Sequence, residues 1–344
     1  MSEERTSEKN NLTDNFLPQL KKFLQNETVF GEPYKIEGIT IIPVNSVKVG
    51  FAYGGSQKDQ RDTGAGGGGV TLTPVAFLIV KNDTVSFQPI SSDVWKSTDG
   101  KIWTEVTSDA GFPARDGHTT VKFKDELWVI GGFDGTTALN DVWTSPDGKK
   151  WDDLTKDAVF GKRYNHTTVV FDDGSGEALW VIGGYDGSRK NDVWKSADGE
   201  NWEPVSLTGD VFTQRESHAA VVFKDALWVI GGSDGSQKND VYKSADGKDW
   251  EKVITDSIVF EIRNNHTATE FDGALWVIGG FDGSRKNDVW KSTDGITWTR
   301  VTANAGFTAR EGHTTVKFKD ALWVIGGEGG PPPGSGFLND VWKY

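Results

Sequence analysis

No cysteine occurs in the 344 residues, which excludes disulfide staples, thiolate metal ligands and a cysteine nucleophile. Basic residues are scarce beside acidic ones, 37 Lys and Arg against 50 Asp and Glu, for a formal net charge of −13. Nucleic acid and anionic membrane surfaces repel such a chain, so neither is an expected partner. No apolar run approaches the about 18 residues of a membrane-spanning helix, and membrane insertion is not expected. The opening stretch "MSEERTSEKNN" has no basic region followed by an apolar core. No secretory signal is readable there, and a cytoplasmic location is expected.

Histidine is rare too, and its rarity is informative. His118, His166, His218, His266 and His313 are the only five, separated by 47 to 52 residues. Each follows an arginine by three positions (Arg115, Arg163, Arg215, Arg263, Arg310) and a phenylalanine by six (Phe112, Phe160, Phe212, Phe260, Phe307). The fifteen tryptophans keep the same period. They fall only in "LW", in "DVW" and at the close of "S-x-D-G-x-x-W", with Tyr242 standing in once. The stretch "LWVIGGFDGTTALNDVW" returns as "LWVIGGYDGSRKNDVW", "LWVIGGSDGSQKNDVY", "LWVIGGFDGSRKNDVW" and "LWVIGGEGGPPPGSGFLNDVW". Each unit reads as four short strands, "HTTVKF", "LWVIGG", "DVWKS" and a segment opened by the third tryptophan, with turns such as "KDE", "FDG" and "ADG" between them. Four strands at this period predict a β-propeller rather than a helical solenoid. One unit is too small to bury a core alone, so the copies must pack on one another.

The elements "R-x-x-H", "LWVIGG", "NDVW" and the closing tryptophan resemble the kelch repeat over residues 93–344. The resemblance implies a mainly β chain built as a kelch-like β-propeller. The chain enters it with a third and fourth strand ("DVWKSTDGKIWTEV"), runs four complete units and ends on a third strand ("DVWKY"). Five blades are favoured, closed by a clasp in which the strand near Trp103 completes the sheet of residues 313–344. Six is the alternative, with two strands drawn from "VAFLIVKNDTVSFQPI". The turn "S-x-D-G-x-x-W" also resembles the Asp-box of sialidase-type propellers, one residue shorter between Asp and Gly.

Before the repeats, residues 1–10 read as a disordered tail and 11–90 as a separate domain, leaving 91–344 to the propeller. In "LTDNFLPQLKKFL", Leu12, Phe16, Leu20, Phe23 and Leu24 recur at helical spacing and predict an N-terminal helix. Strands follow in "GITIIPVNSVKVGFAYGG" and "VTLTPVAFLIVKNDTVSFQPI". The segments "GEP", "TIIPV", "KVGFAYGGS", "GAGGGGVTLTPVAFLIV" and "PI" resemble the GerW-type sporulation protein family. That likeness implies a small α+β domain and a role around bacterial spore formation or germination, with no known chemistry. "GAGGGG" formally meets G-x-G-x-x-G, but a strand follows it, so it reads as a flexible β-connection and not a phosphate cradle.

A circle of five imidazoles could hold a metal. A residue that recurs in every unit, always three after arginine, reads instead as blade framework, and no metal or cofactor is expected. The copper oxidases built on kelch propellers need a cysteine-linked tyrosine, which this chain cannot form. A sialidase-like hydrolase needs clustered arginines and a tyrosine nucleophile. Here the arginines recur once per unit, only six tyrosines exist, and no catalytic residue stands out.

Function is expected where the copies disagree. The turns between third and fourth strands hardly vary and read as scaffold. The opposite face varies, in Asp116, Tyr164, Asn165, Glu216, Asn264 and Glu311 before the histidines, and in Phe133, Tyr185, Phe281 and Glu328 after the double glycines. Arg189 and Arg285 lie in the loops that follow, and the last copy inserts "GEGGPPPGSGF". The expected function is a non-enzymatic binding or scaffold protein that recognises a protein partner through these residues. A glycan-binding propeller and an Asp-box-type glycoside hydrolase are the alternatives.

Overall fold

The computed structural model describes strands within the first 89 residues, and residues 92–255, 259–330 and 336–344. The expected tail over 1–10 and helix over 12–24 lie outside the described residues. The chain divides into two units, Met1–Ser91 and Ser92–Tyr344.

In the first unit, β1 (Thr28–Phe30), β2 (Tyr34–Ile36), β3 (Ile39–Phe51), β4 (Gly68–Lys81) and β5 (Thr84–Pro89) form one sheet in the order β1-β3-β4-β5, with β2 also on β3. All pairings are antiparallel. β3 and β4 run from Thr40 opposite Val80 to Phe51 opposite Gly68. Because β4 opens at Gly68, a strand and not a helix follows the glycine-rich stretch, so the helix N-terminus that a phosphate cradle needs is not formed there.

The second unit is built of strands alone among the described residues. A hairpin of β6 (Val94–Ser97) and β7 (Trp103–Thr107) comes first. The next sheet holds β8 (Thr119–Phe123), β9 (Glu126–Phe133), β10 (Ala138–Ser145) and β11 (Asp152–Thr155). Then come β12 (Thr167–Asp172), β13 (Glu177–Tyr185), β14 (Arg189–Ser196) and β15 (Glu203–Pro204). The following sheet is β16 (Thr208–Gly209), β17 (Ala219–Phe223), β18 (Ala226–Ser233), β19 (Gln237–Ser244) and β20 (Asp249–Val253), where β16 adds in parallel to β20. β21 (Thr267–Phe271), β22 (Ala274–Phe281), β23 (Arg285–Ser292) and β24 (Thr299–Thr302) make the fourth. The last stretch contains β25 (Arg310–Glu311), β26 (Thr314–Phe318), β27 (Ala321–Ile325), β28 (Glu328–Gly329), β29 (Gly336–Phe337) and β30 (Val341–Lys343), with β26-β27-β30 as a three-stranded sheet. The expected clasp is not made: β7 pairs with β6 and β30 stays on β27, with no pairing between β7 and β30 among the described residues.

Local chemistry explains the strand order. Four of the five first-to-second-strand connections are two-residue turns, while residues 173–176 join β12 to β13; Lys124–Asp125, Lys224–Asp225 and Lys319–Asp320 hold positive φ at both positions. That geometry matches the strand twist and keeps the hairpins tight. Across each turn the second-strand tryptophan donates to a phenylalanine carbonyl, as Trp228 Nε1 does to Phe223 at 2.8 Å. The third-to-fourth turns close on themselves. Ser196 Oγ accepts from the Gly199 N–H at 2.7 Å, Asp198 accepts from the N–H groups of Glu200 and Asn201, and Trp202 Nε1 donates to the Gly199 carbonyl. A side chain on Gly199, at φ +79°, would collide with the Trp128 ring of the preceding sheet.

The cores lie between sheets. Phe171, Trp180, Ile182 and Val193 of one sheet pack on Leu227 and Val229 of the next, and the arrangement repeats in each neighbouring pair. Beside each core a repeat arginine is fully buried. Arg263 donates to both carboxylate oxygens of Asp288 at 2.9 and 2.8 Å and to the Gly279 carbonyl at 2.8 Å, while Trp290 Nε1 donates to the same carboxylate at 2.7 Å. Removing one partner strands a buried charge. Arg263→Met is therefore expected to destabilise the chain by about 3–5 kcal/mol in urea denaturation, with much of the loss restored when Asp288→Leu is added.

Candidate functional site

The residues that vary between copies are brought together in pairs. Asp116 and Phe133 exchange backbone hydrogen bonds at 3.0 and 2.8 Å, and Tyr164 with Tyr185, Glu216 with Ser233 and Asn264 with Phe281 do the same. Glu311 pairs with Glu328 through β25 and β28. Each loop entering a sheet is thus zipped to the end of that sheet's second strand. The double glycine makes this geometry: pairing of β13 with β14 skips between Ile182 and Gly184, and Gly183 and Gly184 hold φ of +58° and +102°.

Two clusters result. Phe133 and Tyr164 have ring centroids 5.2 Å apart, and Tyr164 and Tyr185 are 5.5 Å apart. Arg189 lies 5.8 Å from the Tyr185 ring and pairs with Glu216 at 3.0 Å. Further round the face, Arg285 pairs with Glu311 at 3.1 Å and Glu328 at 2.5 Å, and donates to the Gly330 carbonyl at 3.1 Å. Asn264 and Phe281 form their own bridge, and the Asn264 Oδ1 is buried without a hydrogen-bond partner.

Asn165 has a backbone part as well. It sits at φ +53°, and the equivalent Gly117, Ser217, Asn265 and Gly312 are also left-handed, at +57°, +53°, +51° and +60°. Four of them donate a backbone N–H to the equivalent carbonyl of the preceding sheet: Asn165 to Gly117 at 2.8 Å, Ser217 to Asn165 at 2.9 Å, Asn265 to Ser217 at 3.0 Å and Gly312 to Asn265 at 2.9 Å. Variation among Gly, Asn and Ser at this position follows the backbone's demand for a positive φ. The backbone of Asn165 is therefore part of the framework.

The first strands surround a cavity of about 610 Å³, lined by all five histidines together with Asp116, Asn165, Glu311 and Glu328. His166 packs its Cε1 against Gly131 of the preceding sheet, and its Nε2 lies 3.1 Å from Thr119 Oγ1. His313 Nε2 is likewise 3.0 Å from Thr267 Oγ1. Burial first, and the adjacent repeat arginine second, push the buried His218 and His313 down to about 3, whereas His118 is exposed. His166 and His266 are held well below the usual range for the same reasons. The imidazoles of His166, His218, His266 and His313 are neutral wedges between sheets. Among the described residues, no three His, Asp or Glu side chains converge as a metal ion requires.

Sequence reasoning missed the partners of the repeat arginines. Asp141, Asp192, Asp240, Asp288 and Asp340 accept from Arg115, Arg163, Arg215, Arg263 and Arg310. The signal was present, since each of these aspartates stands two residues before the aromatic of "DVW" or "DVY".

Four-stranded sheets packed face to face around a histidine-lined axis define a β-propeller. Residues 80–232 and 217–344 match the family model described as the KLHDC2/KLHL20/DRC7 Kelch-repeats domain. The chain belongs to the Kelch-repeat family. Residues 35–105 match a second family model, Sporulation protein YtfJ. A curated relative, "Uncharacterized spore protein YtfJ" of Bacillus subtilis (strain 168), is 35% identical over 82 residues, covering 19% of this chain and 54% of the relative. The chain thus spans about half the length of that relative, and joins a sporulation-family segment to kelch repeats.

The buried histidines fix a pH dependence. The values of His166, His218, His266 and His313 in the folded chain lie below the ordinary 6.5, so the unfolded chain takes up protons first as pH falls. Stability is full above about pH 6.5 and declines as pH drops toward 4, by up to about 1.4 kcal/mol per pH unit for each histidine. Urea midpoints measured from about pH 7.5 down to about pH 5 are expected to fall steadily, and His218→Gln to make the slope shallower by one histidine's share.

Proposed function

We propose that this chain is a non-enzymatic binding protein whose propeller offers one loop face to a protein partner, in the cytoplasm and in a sporulation or germination setting. The aromatic cluster of Phe133, Tyr164 and Tyr185, with Arg189 alongside, carries the reading. Its rings are half-buried, so each is fixed by its neighbours yet keeps surface for a partner. Aromatic and arginine anchors of this kind dominate protein interfaces. The ionic cluster around Arg285 adds polar contacts to the same face.

The opposite rim supports the contrast. Asp147, Asp198, Asp246 and Asp294, the carboxylates of the Asp-box-like turns, accept hydrogen bonds from their own turn's backbone. Such groups are occupied in holding the turn, which favours a scaffold role over a hydrolase. The sporulation setting comes from the YtfJ family match and the Bacillus subtilis relative.

The test is capture by the full chain from extracts of sporulating cells, with proteins identified against a Phe133→Ala/Tyr185→Ala variant and a turn variant, Lys149→Ala. The double variant is expected to weaken capture by at least about tenfold, since interface aromatics contribute about 2 kcal/mol or more each. Lys149→Ala is expected to change nothing. Equal capture by all three would refute the loop-face assignment. Binding on a glycan array that the double variant abolishes would transfer the face to a sugar ligand, and turnover of chromogenic glycosides would overturn the non-enzymatic reading.

A further inference from the structure

The seams between neighbouring sheets are not tied alike. Where the sheet of β8 to β11 meets that of β12 to β15, Thr119 Oγ1 lies 3.1 Å from His166 Nε2 and 2.7 Å from Thr168 Oγ1. One hydroxyl thus bridges the wedged imidazole and a threonine of β12. Thr267 does the same between the sheet of β21 to β24 and the last sheet, at 3.0 Å from His313 Nε2 and 2.7 Å from Thr315 Oγ1. Ion pairs add to two seams. Arg189 with Glu216 at 3.0 Å joins the sheet of β12 to β15 to that of β17 to β20, and Arg285 with Glu311 at 3.1 Å joins the sheet of β21 to β24 to the last stretch.

The seam between the sheet of β17 to β20 and that of β21 to β24 has other residues at all four of these positions. Ala219 stands where Thr119 and Thr267 stand, and Ala268 where Thr168 and Thr315 stand. Gln237 takes the place of the arginine and Asn264 that of the glutamate. The wedge here is His266, 6% exposed, packed with its Cε1 toward Gly231 of the preceding sheet. Its Nε2 has no hydrogen-bond partner, and neither has the Asn264 Oδ1. The seam is held by an apolar core that includes Phe223, Trp228, Ile230, Leu275 and Val277, and by links common to the wheel. Gly232 donates to the Arg263 carbonyl at 2.9 Å, Asn265 to the Ser217 carbonyl at 3.0 Å, and Asn239 Nδ2 to the Phe260 carbonyl at 3.3 Å. In sheet order this seam falls between the cluster of Phe133, Tyr164, Tyr185, Arg189 and Glu216 and the cluster around Arg285.

We propose that this seam is an acid-sensitive joint, at which protonation of His266 loosens the two sheets from one another and parts the two clusters of the loop face. At the seams of His166 and His313 a threonine hydroxyl can accept from the Nε2–H of an imidazolium, so a charged ring keeps an acceptor. His266 meets Ala219 instead. The groups that act on it supply no counter-charge: they are Arg263, whose own charge is matched by Asp288, the imidazoles of His218 and His313, and the Ile230 carbonyl. Gly231, Gly280 and the Phe260 ring, which also pack on it, are uncharged. A buried charge in such surroundings is costly, and opening the seam returns the ring to water. The sign follows. Burial holds His266 well below the ordinary 6.5 while the seam is closed, so each pH unit below about 6.5 favours the open seam by up to about tenfold.

Hydrogen exchange of the full chain, followed residue by residue between about pH 7.5 and about pH 5.5 and corrected for the intrinsic exchange rate, tests the joint. Protection of the Gly232 and Asn265 N–H groups is expected to fall about tenfold over the last pH unit, and that of Gly132 and Asn165, which make the same links at the first seam, by less than about threefold. His266→Gln is expected to flatten the response at Gly232 and Asn265. Ala219→Thr/Ala268→Thr, which rebuilds the hydroxyl bridge, is expected to bring these two amides to the behaviour of Gly132 and Asn165. The reverse exchange, Thr119→Ala/Thr168→Ala, is expected to carry the acid response to Gly132 and Asn165, and it decides the matter should the added threonines prevent folding. The proposal is overturned by an equal loss of protection at every seam, by a response at Gly232 and Asn265 that survives His266→Gln, or by threonine exchanges that leave the pattern unchanged.

Discussion

A guanidinium shut away from water must find its hydrogen-bond acceptors inside the protein, and that requirement organises every repeat of this propeller. Arg215 reaches both oxygens of Asp240 and the Gly231 carbonyl from a fully buried position. The guanidinium ties together the loop that enters a sheet, the glycine bulge that ends the second strand and the start of the third. Those three segments then place the histidine, the left-handed linker and the variable pair beside them. Losing the acceptors would leave the charge uncompensated, so the whole constellation repeats as a block.

Much of this was legible in the sequence. The period, the four strands, the hairpin turns and the inter-sheet tryptophans follow from local alternation and from residue types that suit positive φ. Two things were not legible. The left-handed role of Asn165 is hidden because Gly, Asn and Ser differ as chemistry while agreeing as conformers. The fate of the terminal strands is hidden because it depends on which long-range edges meet: β7 has a partner in β6 as soon as the chain turns, whereas joining β30 would bring together residues some 240 positions apart.

The two faces of the wheel use similar side chains to opposite ends. On one rim, serine and aspartate are consumed by the backbone of their own turns, and their sequence scarcely changes. On the other, the backbone bridges between loop and strand satisfy the main chain, which leaves side chains such as Phe133 and Tyr185 free to differ from sheet to sheet. Uniform backbone pairing is what permits unlike surfaces on like units.

The hydrogen bonds round the axis also have a direction. Every N–H in the series points to a carbonyl made earlier in the chain, from Gly312 back to Gly117. As the polypeptide leaves the ribosome, each new sheet finds its acceptor already in place and needs nothing downstream. Vectorial synthesis and wheel assembly therefore run in the same sense, with the segment around Gly117 as the seat on which all later sheets are mounted.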